Sequence, residues 1–450
     1  MAFFSVASAV PASSQLPDPG TTLPVDSAVT IGTLQNGLRY YIRTNQRPEN
    51  RAELRLIVNA GSVLEDDDQR GLAHVVEHMA FNGTENFAKQ AIVDYLESIG
   101  MRFGPDINAF TSFDETVYML TVPTDDATML EMGFQILEEW AHRQTLEPEE
   151  IELERGVVIE EWRRGRGAEA RMRDAQFPTL FADSKYAERL PIGTVEVLEG
   201  FDRERLQSFY DMWYRPDLMA VVAVGDFNGD SVQQLIHRYF AAIPVATNPR
   251  PRDNFEVPQH DETLFAIASD PEASNSRVSL YHKQPVRDQS TYRAYRQRLV
   301  EVLYNAMFNN RLSELAQSAE PPFIAGFSTQ GQFVRTSEVY FLAALVAPGG
   351  IEIGLEALVT EAKRVAQFGF TEAELDRTKA DVLRSMEQVY ADRNTRDSRL
   401  LAAEYRRSFL TGEPIPGIET ELELHRLFLP RITLDDVDRL AGEWLTEHSR

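Results

Sequence analysis

The sequence predicts an α+β protein built from two homologous domains, each an antiparallel-rich sheet covered by helices on one face. Three observations carry this. At 450 residues the chain exceeds the length over which a single hydrophobic core keeps growing. Within each half, segments with strand character are followed by segments with helical periodicity. The pattern of the first half then starts again in the second.

The elements follow in order. Leu38 to Ile42 and Ala52 to Val58 alternate and are rich in β-branched residues, so both read as strands. Leu72 to Phe81 reads as a helix stopped by Asn82-Gly83, and Ala91 to Ile99 as a second short helix. Glu115 to Val122 alternates as a strand, and Ala127 to Arg143 is a long amphipathic helix. Pro148 opens a helix that runs through Trp162, because a first-turn proline loses no hydrogen bond. Leu218 to Val224 is an apolar strand closed by Gly225.

The repeat is seen in three ordered matches. Leu72 to Asn82 aligns with Leu299 to Asn309 at its Leu, Val and Phe-Asn positions. Glu115-Thr-Val-Tyr118 aligns with Glu338-Val-Tyr340, and Ile151-Glu-Leu-Glu-Arg155 with Ala373-Glu-Leu-Asp-Arg377. Tyr118 precedes Arg155 by the same interval that separates Tyr340 from Arg377, which favours duplication over coincidence. The expected organisation is a tail or signal remnant over 1–24, a first domain over 25–243, a linker over 244–262 and a second, metal-free repeat over 263–450. Pro17 to Pro24 reads as an extended lead into the first strand, and Pro244 to Gln259, rich in Pro, Asn and charge, as the linker.

Composition removes several function classes. Seventy acids against 45 bases give a formal charge of −25, which disfavours nucleic acid and anionic membranes as partners. With no cysteine there is no disulfide, thiolate metal site or cysteine nucleophile. No apolar run is long enough to span a bilayer. Met1 to Ala12 has the apolar, small-residue character of a secretory signal without its basic leading region, since the first basic residue is Arg39.

The chemistry concentrates in His74-Val75-Val76-Glu77-His78. Two histidines at i and i+4 leave one helix face together, the arrangement for two nitrogen ligands on one tetrahedral ion. Imidazole and carboxylate donors suit a single Zn²⁺, and Glu77 is placed to take a proton from a water on that ion. Two histidines on a helix are more often plain surface or core residues, and the pattern is short enough to recur by chance. The otherwise apolar helix (Leu72, Val75, Val76, Met79) tips the balance, because half-buried charge needs a partner. A third ligand is expected from the Pro148 helix, which offers Glu149, Glu150, Glu152, Glu154, Glu160 and Glu161. Glu154 and Glu161 share a face at two-turn spacing, with Val157 and Val158 expected to pack inward beside them. Glu161 is the choice for ligand and Glu154 for an acid that holds a histidine; spacing alone leaves Glu160 and Glu154 as alternative ligands.

His-x-x-Glu-His is the inverted order of a common zinc-peptidase motif. Together with Gly71 to Gly83 and Glu154 to Glu161, it resembles the pitrilysin/insulinase family of zinc peptidases. Asn108 to Tyr118 and Tyr214-Arg-Pro-Asp217 are also family-like, and the likeness runs from about Gly32 onward, nearest to bacterial pyrroloquinoline-quinone-locus-type members. The resemblance implies zinc ligands His74, His78 and Glu161, general base Glu77, supporting acid Glu154, and an edge strand at Asn108, Ala109 and Phe110 that pairs with substrate. It implies an endopeptidase acting on extended or unfolded peptides, in the periplasm or cell envelope, with the cytoplasm as the other compartment. The alternative within the family is a non-catalytic scaffold or partner subunit of a two-part peptidase. One departure stands out. The family's substrate-side Arg-x6-Tyr pattern meets Arg311 to Ser318 here, with no tyrosine. The second repeat carries Glu301, Tyr304, Asn305 and Leu383 where the first has His74, Glu77, His78 and Glu161. The expectation is therefore half of a working enzyme, with an Arg/Tyr pair supplied by a second half or a partner subunit. The chain also stops after Trp444 where the first repeat continues from Trp213 into a buried strand.

Overall fold

The structure, a computed structural model, describes residues 16–450; the signal-like stretch Met1 to Ala12 lies outside them. The first repeat contains β1 (Val29–Thr33), β2 (Arg39–Thr44), β3 (Arg51–Val58), α1 (Leu72–Met79), α2 (Ala91–Ser98), β4 (Ile107–Thr111), β5 (Thr116–Pro123), α3 (Ala127–His142), α4 (Pro148–Arg164), α5 (Ala168–Leu180), α6 (Val195–Gly200), α7 (Arg203–Trp213), β6 (Met219–Gly225) and α8 (Gly229–Phe240). The second contains β7 (Ser276–Pro285), α9 (Tyr292–Ala316), β8 (Ala325–Val334), β9 (Ser337–Val346), α10 (Ile351–Phe368), α11 (Glu372–Ala391), α12 (Ser398–Thr411), α13 (Ile418–Phe428) and α14 (Leu434–Trp444). From β3 and β7 onward, the two halves run in parallel through a strand, a helical stretch (α1 and α2 in the first, the single α9 in the second), two strands and five successive helices. Trp213 and Trp444 close matching helices.

The first sheet has six strands in the order β1-β2-β6-β3-β5-β4, antiparallel except for the β2–β6 pair. β4 is therefore an edge strand, hydrogen-bonded to β5 on one side only, with Ala109 opposite Tyr118. The second sheet, β7-β9-β8, is fully antiparallel.

Within the first repeat the helices gather on one face, around a core that includes Leu54, Leu56, Phe134, Trp140 and Trp213. The opposite face of that sheet is covered by the second repeat. Leu401, Ala402 and Tyr405 of α12 pack on Tyr41, Ile57, Val222 and Val224. This explains why β6 is a continuous apolar run rather than an alternating one: both of its faces are dry. The second core gathers α9, α10 and α14 over Tyr340, Leu342 and Ala344.

The proline-rich lead crosses to the other repeat. Leu23 is buried in the second core and its N–H bonds Ser290 O, so this segment is a strap on the second repeat and not only a lead into the first. The linker segment 244–262 has no regular secondary structure.

Candidate metal centre

α1 stands against α4 and α7, and its entry is fixed by backbone geometry. Gly71 precedes the helix at φ 101°, a conformation that a side chain would strain. Six of its eight residues are buried, including Glu77 at 7% exposure. The helix N-terminus is capped by a side chain from the loop just before it. Glu65, fully buried, accepts from Gly71 N at 3.0 Å and Ala73 N at 2.9 Å. Burial pushes the Glu65 carboxyl up to about 8, against the pull of those backbone donors. Sequence reading missed this residue, because Glu65-Asp66-Asp67-Asp68 looks like a solvated acidic loop.

His74 and His78 leave α1 side by side, with their Nε2 atoms 3.2 Å apart. Glu161 Oε2 lies 3.4 Å from His78 Nε2 and 3.8 Å from His74 Nε2. Among the described residues these three offer ligand atoms all within 4.8 Å of one another. Two ligand atoms on one tetrahedral zinc stand about 3.3 Å apart, given bonds of about 2.0–2.1 Å. The observed separations therefore match one ion shared by three donors.

Glu154 sits behind His78, with Oε1 2.7 Å from His78 Nδ1. Its other oxygen accepts from Asn82 Nδ2 at 2.8 Å. Asn82 reads in the sequence only as a helix stop, and its grip on Glu154 was not anticipated. Burial would raise the Glu154 carboxyl, but His78 and Asn82 hold it below the ordinary range. Burial also opposes charge on both histidines. At His78 the neighbouring Glu154 and Glu161 overcome it and push the imidazole up to about 10, while His74, facing His78, is pushed down. His74 Nδ1 is buried with no hydrogen-bond partner among the described residues.

Glu77 borders the same cluster, close enough for the charges of His78 and Glu161 to act on it. Burial raises it to about 7, and Thr111 Oγ1 donates to its Oε2 at 2.7 Å. Thr111 closes β4, so the edge strand touches this acid directly. Beneath it lie Tyr118 and Tyr214, whose hydroxyls are 2.8 Å apart.

The remaining acids of α4 turn elsewhere. Glu160 pairs with Arg163, Glu152 with Arg155 and Glu150 with Lys89, and Glu149 is exposed in the first turn. One expectation is corrected. Val158 is buried as anticipated, but Val157 is 51% exposed. The buried stripe of α4 is centred on Ile151, Val158 and Ile159, so Glu154 and Glu161 lie at its margin and Val157 falls on the open side with Leu153. Asn108, Ala109 and Phe110 lie on β4 as expected, Asn108 exposed and the other two half-buried.

The second repeat has no such cluster at the matching positions. Glu301 is engaged by Arg287, Asn305 by Ser328, and Tyr304 packs edge-to-face against Tyr340, Phe370 and Trp444. Arg311 is held internally by Glu374 at 2.7 Å and Glu361 at 3.2 Å.

Residues 40–189 match the family model of the insulinase peptidases, peptidase family M16, and residues 200–382 match that of the peptidase M16 inactive domain. The chain is 39% identical over 92% of its length to an Arabidopsis thaliana protein named zinc protease PQQL-like, covering 41% of that protein. It is 31% identical over 94% of its length to the probable zinc protease PqqL of Escherichia coli, covering 45% of it. It thus spans less than half the length of these curated relatives. Among solved structures it is similar to the first half of the periplasmic protease PqqL from Escherichia coli. The TM-score there is 0.88 at 29% identity, over 94% of this chain and 91% of that one.

Proposed function

The chain belongs to the insulinase family of peptidases, and on that premise we propose that it is the zinc-binding, catalytic part of a metalloendopeptidase that cuts extended or unfolded peptides. The convergence of His74, His78 and Glu161 at tetrahedral spacing carries the reading. These three would hold one zinc ion, with Glu154 fixing the ring of His78 from behind. When bound, zinc supplies Lewis acidity that brings the pKa of a water to about 7.

Glu77 is the proton acceptor of that site. Thr111 engages its Oε2 and leaves Oε1 to receive the proton, and burial keeps its basicity near neutral pH. β4 has a strand neighbour on one side only; on the other, the loop at Arg102 and Gly104 bonds Ile107, and the Asn108 side chain accepts from Ala109 N at 3.0 Å, a local bond that an extended peptide would displace on adding as a strand. Main-chain pairing selects for extended conformation rather than for sequence. Arg311 is tied to Glu374 and Glu361 and is not free to meet substrate. We therefore assign the family's Arg/Tyr pair to the second half of a longer polypeptide or to a partner subunit. The Escherichia coli relative is described as periplasmic, and the same compartment is proposed here.

The test separates the roles. Glu77→Gln should retain one zinc per chain by metal analysis and lose on the order of 10²–10⁴-fold in peptide hydrolysis. His74→Ala and Glu161→Ala should lose the metal. Near-full turnover in Glu77→Gln, or zinc bound by Glu161→Ala as tightly as by the parent, would defeat the assignment.

A further inference from the structure

We propose that the metal-free repeat is an arginine clamp that holds the edge strand β4 in the position where it receives substrate, with Arg399 as the principal positioning residue; this rests on the reading of β4 as the substrate-pairing edge. The two ends of β4 are gripped by arginines that do not belong to the first repeat.

At the entry to the strand, Arg399 reaches from the first turn of α12. Its Nη2 donates to Pro105 O at 2.9 Å and to Thr121 Oγ1 at 3.2 Å, and its Nε to Glu53 Oε1 at 3.0 Å. One guanidinium thus ties β3, β5 and the approach to β4 together. Glu53 is almost fully buried and also accepts from Thr121 Oγ1 at 2.6 Å, so its charge is spent on this contact. Arg55 of β3 completes the ring by donating to Arg399 O at 3.0 Å.

At the exit, the turn Ser112 to Glu115 is held by three more arginines. Arg406 of α12 lies over the Phe110 ring at 5.3 Å and 3.4 Å from Glu115. Arg335, from the β8–β9 turn, is 3.6 Å from the same carboxylate, and Arg252, from the linker segment, donates to Asp114 Oδ1 at 2.8 Å. Asp114 is buried and takes a second bond from Tyr186 at 2.9 Å.

Between the two grips, no side chain of the second repeat is bonded to Asn108 or Ala109; Ala109 N donates only to the exposed Asn108 side chain at 3.0 Å, so the middle of the strand keeps an edge that a peptide can take over. An edge strand has one neighbour and frays readily, and pairing with a peptide requires its backbone groups to be in line beforehand. The second repeat supplies that order from the far side, without contributing a ligand or an acid. Thr111 carries it on to Glu77, because the last residue of the clamped strand donates the 2.7 Å bond to the acid.

The experiment uses the chain carrying Glu77→Gln, so that peptide is bound and not cut. The probe is a fluorescein-labelled peptide with no fold of its own, read by anisotropy, with hydrogen exchange of the β4–β5 amides, zinc content and Tm measured on the same samples. Arg399→Met should weaken peptide binding on the order of tenfold and speed exchange of the β4 amides, while zinc content stays at the parent level. Arg399→Lys should recover only part of this, since an ammonium cannot span three acceptors as a planar fork does. Arg406→Met should loosen the exit end alone. Unchanged affinity and unchanged exchange in Arg399→Met would overturn the clamp, as would a loss confined to Tm with β4 exchange unaltered. Absence of peptide binding in the parent, with zinc fully bound, would instead remove β4 as the substrate edge and the clamp with it.

Discussion

At the scale of single residues, the site is a set of groups whose protonation the fold has moved away from their ordinary values. In the metal-free chain His78 is raised to about 10 by Glu154 and Glu161 against the burial that opposes it, and Glu77 is raised to about 7 by burial. Both folded values lie above the unfolded ones, so the folded state binds more protons across each window. The Glu77 contribution is complete below about 4.5 and lost as pH rises to about 7. The His78 contribution is complete below about 6.5 and lost as pH rises to about 10. His74, pushed down, works the other way, but its effect is complete by about pH 6.5, so the metal-free chain should lose Tm between about pH 6.5 and pH 9. Zinc requires deprotonated ligands, so the increment in Tm on adding it should grow over the same range. Thermal melts with and without chelator at several pH values check this, and a metal-free Tm that rises with pH over that range would contradict it. Glu65 supports a second residue-scale prediction. Glu65→Ala leaves two buried N–H groups at the start of α1 without a partner, at a cost of about 2–4 kcal/mol. Tm should fall and zinc affinity with it, although Glu65 touches no ligand. Glu65→Gln, which keeps an acceptor oxygen, should lose less.

At the scale of elements, legibility followed periodicity. α1, α3 and α4 were placed within two residues at each end, because each is long or carries a sharp apolar stripe. β1 was missed: five residues, with one buried, give no alternation to read. The convergence of His74, His78 and Glu161 was legible because the two histidines lie within five consecutive positions and Glu161 repeats Glu154 at two turns. Thr111 and Asn82 were not, since each acts across a long sequence interval on a partner that only the tertiary fold supplies, and Glu65 was not, since its acidic run reads as solvated until the loop folds back onto the start of α1. The same holds for α12. Its sequence shows an amphipathic helix but not that its apolar face belongs to the other repeat's sheet. Leu401→Ala should open a cavity against that sheet and cost about 2–5 kcal/mol. The strap at Leu23 and the helix α12 tie the repeats in both directions, so fluorescence and circular dichroism should report the same lowered midpoint. Separate melting of the two repeats in Leu401→Ala would show that this contact does not couple them.

At the scale of the whole molecule, the two repeats differ at matching positions: one brings His74, His78 and Glu161 together, the other has a packed tyrosine, Tyr304, and a glutamate, Glu301, paired with Arg287. The cluster is open on one side. Glu161 is half exposed, and Leu153 and Val157 beside it on α4 present apolar surface to solvent. Water reaching the site from that side raises the local dielectric and weakens the electrostatic work that Glu77 and a metal can do on a peptide bond. No arginine of the second repeat's motif is free to bind substrate there, since Arg311 is occupied. Zinc binding needs only the three converging donors, whereas turnover needs the open side covered and the substrate carbonyl held. The two properties should separate in this chain taken alone. It should bind one zinc ion with ordinary structural integrity yet hydrolyse unfolded peptides slowly. Adding the remaining half of a longer relative-like polypeptide, or a partner subunit carrying a free Arg and Tyr, should raise kcat/KM on the order of a hundredfold or more, with zinc stoichiometry unchanged. A folded, rigid protein should resist cleavage in both states, because it offers no extended segment to β4. Steady-state hydrolysis of a quenched fluorescent peptide by the 450-residue chain, with its mass in solution measured at the same concentration, decides the matter. Full activity from a monomer of that size would mean that the chain's own surfaces close the site, and the assignment of the Arg/Tyr pair to another half would fall.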